Sequence, residues 1–103
     1  MTDRLFAPRA ARELREAAAW IAERDPGTAE NLLRAALAAA GRLSRQPHLA
    51  RVEPRLAPER FRFWSLRGYP YLLVMDTARR PAVVARFVHG SRDVPAVLGE
   101  VGD

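Results

Sequence analysis

FRFWSLRGYPYLLVMDTARRPAVVARFVH, residues 61–89, is the stretch that decides the fold. Three runs rich in aromatic and β-branched residues, Phe61 to Leu66, Tyr69 to Asp76 and Ala82 to His89, are separated by Arg67-Gly68 and by Thr77 to Pro81. Such runs bounded by turn residues predict strands, and connections this short make neighbouring strands antiparallel. Pro70 has no N–H, so it must sit where the ladder needs no donor.

Upstream the period changes. From Arg9 to Arg24, Ala10, Leu14, Ala17, Ala18 and Ile21 recur at three and four, the spacing of one helix face. Pro8 suits the first turn, and Arg9 with Glu13 and Arg12 with Glu16 read as ordinary pairs on the solvated side. Asp25-Pro26-Gly27 ends this helix and opens another, Asp25 as cap and Pro26 at the first helical position. The second helix is predicted from Thr28 to Arg45 on the apolar stripe Ala29, Leu32, Leu33, Ala36, Leu37, Ala40 and Leu43, with Pro47 beyond its end. Its alanine-rich middle, Ala35 to Ala40, permits close approach of another element, and packing within the domain is the expected use.

Residues 48–59 hold Pro54 and Pro58 without sustained period and read as a mobile crossing loop. Arg4 to Ala7 is expected to add a short strand, and Ser91 or Asp93 to cap a last short helix through Leu98. The expected fold is α+β: a short N-terminal strand, a helical hairpin, a three-stranded antiparallel meander and a short C-terminal helix. At 103 residues this is one domain over 1–103.

Composition narrows the chemistry. No apolar run approaches the roughly 18 residues of a membrane span, and Met1-Thr2-Asp3-Arg4 lacks the profile of a secretory signal, so a cytoplasmic, membrane-free protein is expected. Zero cysteines and two well-separated histidines, His48 and His89, point away from a metal site, and no cofactor motif is present. All 17 basic residues are arginine against 12 acidic ones, and the resulting +5 charge suits an acidic partner. Genome composition accounts for the missing lysines equally well.

Several strings in register resemble the RelE/ParE superfamily of toxins, and the ParE branch in particular. They are Leu5-Phe6 running into Ala10-Ala11-Arg12-Glu13-Leu14, then Trp20-Ile21-Ala22-Glu23, Gln46-Pro47-His48, Arg67-Gly68-Tyr69-Pro70-Tyr71-Leu72-Leu73-Val74, and Arg86-Phe87-Val88-His89-Gly90-Ser91-Arg92-Asp93. Met75, where the family often carries tyrosine, and the aromatic Phe63-Trp64 depart from the pattern. The resemblance implies the toxin of a bacterial type II toxin-antitoxin system that stabilises a plasmid or chromosome. It implies hetero-oligomerisation with a ParD-like antitoxin, and DNA gyrase as the target inhibited by binding. The other branch would make it a ribosome-dependent mRNA interferase, and a module that binds antitoxin without toxicity is a third reading.

Candidate residues divide accordingly. Arg60, Arg62, Trp64, Arg67, Arg86 and Arg92 are expected to face a target; Leu14, Trp20, Ile21, Leu33, Leu37 and Tyr71 are expected to face the antitoxin. No catalytic residue is expected for a gyrase inhibitor; a nuclease would use Arg62, Arg67, His89 and Arg92, supplying cations for the phosphate and an acid or base. The stretch Val94 to Leu98, apolar apart from its proline, lacks the tyrosine or histidine that nuclease relatives commonly place there. His89 also has a structural reading as a hydrogen-bonded strand-end residue. Alternation sends Phe61 and Phe63 to one sheet face and Arg62 and Trp64 to the other, so one aromatic set is expected to fill the core and the other to be exposed, where it could stack bases or mark a binding surface.

Overall fold

In a computed structural model, residues 2–90 are described. A single helical turn, α1 (Thr2–Leu5), precedes α2 (Pro8–Ala22) and α3 (Pro26–Arg45). Pro8 takes the first position of α2 behind Ala7, which is extended and offers no side-chain cap. Ala10, Leu14 and Ala18 form its inward face. Asp25 caps α3: its Oδ1 accepts the Thr28 N–H at 3.1 Å and its Oδ2 the Thr28 hydroxyl at 2.7 Å. Those bonds, the hydroxyl's first, hold the Asp25 carboxyl below the usual carboxylate range. Along α3, Leu32, Ala36, Ala40 and Leu43 are fully buried, so the alanine stripe is used inside the domain. Pro47 stops the helix, and Pro47–Leu49 adds one 3₁₀ turn.

Four antiparallel strands follow in the order β1 (Arg51–Val52), β2 (Phe61–Ser65), β3 (Tyr71–Asp76) and β4 (Val83–His89). Phe63 pairs with Val74, and Leu73 with Phe87. Gly68, at φ 87°, supplies the left-handed residue that lets Leu66 donate to the Tyr71 carbonyl at 2.9 Å across the β2–β3 turn. Pro70 falls just before β3, outside the ladder. Val74 faces Arg86 while Met75 faces Val84, so Ala85 is an extra residue and β4 bulges there.

Two expectations change. Residues 4 and 5 are helical, and the extended N-terminal segment shrinks to Phe6, bridged in parallel to Val84, with the Ala7 N–H on the Val84 carbonyl at 2.8 Å. Pro8 starts α2 too soon for more strand. The crossing loop is held by hydrogen bonds: β1 pairs Arg51 with Phe63 and Val52 with Arg62, whose Nη1 donates to the Ala50 carbonyl at 2.9 Å. The proposed final helix lies outside the described residues.

Both faces of the sheet are covered. Under the helices pack Phe6, Leu14, Leu32, Leu43, Leu73, Met75, Val84 and Phe87. On the other face Phe61 and Phe63 pack with Val74, Ala85 and Ala57. Exposure of one aromatic set is therefore corrected: Phe63 is 1% exposed, and Trp64 on the opposite face is half-buried against the main core. The reason lies in the loop, where Leu56 and Ala57 donate to the Glu53 carbonyl and close a turn that brings Ala57 onto the phenylalanines. Among the described residues, no helix is long and apolar enough to cross a membrane.

Candidate functional site

Two arginine-lined cavities flank the sheet on its helical side. The first opens between α2 and the paired Tyr71 and His89 ends of β3 and β4. Helical spacing puts Arg9, Arg12, Glu13, Glu16, Ala17 and Trp20 on the flank of α2 that faces them. Tyr71 and His89, paired in register, form the opposite wall, and the space between is about 530 Å³. Tyr71 stacks on Phe87 at 4.9 Å and meets His89 edge-on at 5.5 Å, which fixes both rings. At the rim Trp20 is 61% exposed, with the Arg24 guanidinium 5.3 Å from its ring centroid.

Glu13 forms the floor. Its carboxylate accepts from Nε of Arg86 at 3.0 and 3.1 Å and from the backbone N–H of Phe87 at 2.9 Å. Its expected place in a surface pair with Arg9 is thereby corrected: Glu13 turns toward β4. Arg86, 1% exposed, is part of the packed interior and offers no surface to a target. An ionised group at that depth requires a partner, and Glu13 supplies it.

The second cavity, about 580 Å³, lies at the far flank, between the end of α3, the 3₁₀ turn and β2. Arg42, Leu49, Arg51, Trp64, Ser65 and Arg67 line it. Arg51 binds Glu53 through Nε at 2.6 Å, whereas Arg42 and Arg67 have no ion pair among the described residues.

The remaining candidates are dispersed. Arg60 covers the Phe61 ring at 4.6 Å and reaches Asp76 at 3.4 Å. Arg62 is committed to the Ala50 carbonyl, and Arg92 lies outside the described residues. Of the antitoxin-facing set, Leu14 is in the core and cannot be touched, because it sits on the inward stripe of α2. Ile21 and Leu33 are half-buried, while Trp20 and Leu37 are exposed. Ala19, Ala22 and Leu33 line a shallow groove across the α2–α3 hairpin.

Nor do the nuclease candidates converge. Arg62 pairs with Met75 and His89 with Tyr71, so Arg62 stands two strand spacings across from β4 and four residues along β3 from the level of His89. With about 4.8 Å between strands and 3.3 Å per residue, their backbones lie roughly 16 Å apart. Arg67 is nearer the His89 end of the sheet but opens into the other cavity.

The family model described as the ParE toxin of the type II toxin-antitoxin system, parDE, matches residues 5–94. That span holds both helices, the whole sheet and both cavities, and the chain belongs to this family of toxins. No curated protein and no solved structure gives a match.

Proposed function

We propose that the chain acts in the bacterial cytoplasm as a ParE-like toxin that inhibits DNA gyrase by binding, and that a ParD-like antitoxin neutralises it by covering the α2–α3 hairpin and the Trp20 cavity. The separation of Arg62 from His89 carries the choice of binder over nuclease. Phosphodiester cleavage by a 2'-hydroxyl needs a base, an acid and a cation around one phosphate, all within hydrogen-bond reach. Here one candidate cation is spent on a backbone carbonyl and stands two strand spacings across the sheet and four residues along it from the imidazole's strand position.

The antitoxin assignment rests on exposure. Trp20 and Leu37 present apolar surface on the hairpin, and Trp20 overhangs a cavity deep enough to take an anchoring side chain.

The test is induction of the toxin without antitoxin, following DNA synthesis, protein synthesis and mRNA ends before growth stops. An early fall in DNA synthesis with intact mRNA is expected. Early loss of translation with new mRNA ends would establish the interferase instead, and continued growth with soluble toxin present would mean a module that binds antitoxin without poisoning the cell. His89→Gln should remain toxic; in an acid-base nuclease it would lose roughly 10²-fold or more in rate.

A further inference from the structure

From the second cavity we infer that the protein binds a single strand of nucleic acid, a base stacking on Trp64 and the flanking phosphates held by Arg42 and Arg67. The inference stands apart from the choice of gyrase as target.

Three elements bring the cations together. Arg42 comes from the last turn of α3, Arg51 from β1 and Arg67 from the β2–β3 turn, and all three are exposed around the half-buried Trp64. No acidic side chain lines the space. Glu53 offsets Arg51, which leaves Arg42 and Arg67 as the net positive charge. Trp64 packs one side on the main core, so the ring is held in place and its stacking costs little side-chain entropy. A fixed aromatic ring beside guanidinium groups is the arrangement on which single strands lie, because every base has a π-face and every linkage a negative charge.

Size and backbone argue for this ligand over others. The volume, about 580 Å³, has room for a nucleotide with its base splayed out. A duplex keeps its bases stacked inside and cannot offer one to a recessed ring. An acidic peptide would bind such a flank most readily by adding a strand to β2, but β1 takes Phe63 and Arg62 and leaves beside the cavity only Trp64 and Ser65, too short a run to hold a peptide strand. Stacking and charge remain as the means of recognition.

The chain has two tryptophans, one at each cavity, so Trp20→Phe leaves Trp64 as the sole indole reporter. Titrating that variant at low salt with single-stranded DNA and RNA dodecamers of one sequence should quench Trp64 emission saturably, and the stronger of the two names the natural strand. The same sequence as a duplex should quench far less. The logarithm of the affinity should fall with the logarithm of salt by about 0.7 per phosphate held. Arg42→Gln and Arg67→Gln should each weaken binding about tenfold and shallow that slope by about one phosphate's worth. Arg34→Gln, on the exposed side of α3, should leave it unchanged. Absence of quenching by either dodecamer, equal quenching by polyglutamate, or full binding by both cavity variants would overturn the inference.

Discussion

Glu13 and Arg86 stand 73 residues apart in the chain, yet the carboxylate of one receives the guanidinium of the other and the next backbone N–H besides. Removing the carboxylate withdraws the Glu13 counter-charge from a cation that is 1% exposed. Glu13→Ala should therefore lose about 3–5 kcal/mol of stability, read as a lower urea midpoint. Pairing it with Arg86→Met should restore part of that loss, because the buried charge is gone, while the Phe87 N–H still lacks its acceptor.

Phe63 belongs to the smaller core on the sheet face away from the helices. Phe63→Ala should cost about 3–5 kcal/mol by the same measurement. An exposed stacking platform at that position would instead tolerate the change within about 0.5 kcal/mol.

Trp20 gives the opposite signature. At 61% exposure its replacement by alanine should change stability by no more than about 0.5 kcal/mol. If the antitoxin anchors in the adjoining cavity, calorimetry should show Trp20→Ala weakening that complex by about 2 kcal/mol or more.

Asp25 makes the α3 cap sensitive to acid. Its folded pKa is lowered by the two Thr28 bonds, so the stabilisation is present above the unfolded pKa, about 4, and is lost as pH falls through the folded value. Asp25→Ala should lower Tm at pH 7, and the gap from wild type should narrow as pH drops below about 4.

The regular elements were legible because local pattern and global packing agree in them: the helix boundaries at Pro8, Asp25 and Pro47, and three strands in their observed order. Glu13 was not, since Arg9 and Glu13 at a four-residue spacing read the same on a solvated face and beside a sheet edge. The signal lay elsewhere. Arg86 sits inside Val83-Val84-Ala85-Arg86-Phe87-Val88, and a cation in so apolar a strand calls for a buried counter-charge. Two-residue β1 has no period to detect, and the second core depends on a loop turn that places Ala57, a tertiary event without a local signature. Of the second cavity, Trp64 and Arg67 were singled out from the strand and its turn, whereas Arg42 and Arg51 come from other elements and only the folded chain brings them there.

The outer flank of β4 is engaged at two points: Phe6 and Ala7 hold Val84, and Glu13 takes the Phe87 N–H. Growth of a fibre by edge-to-edge strand pairing requires two open flanks on every molecule. With β4 blocked at Val84 and Phe87, pairing of that kind is left to the β1 side and ends at two copies, so the sheet offers no ready route to an open-ended polymer.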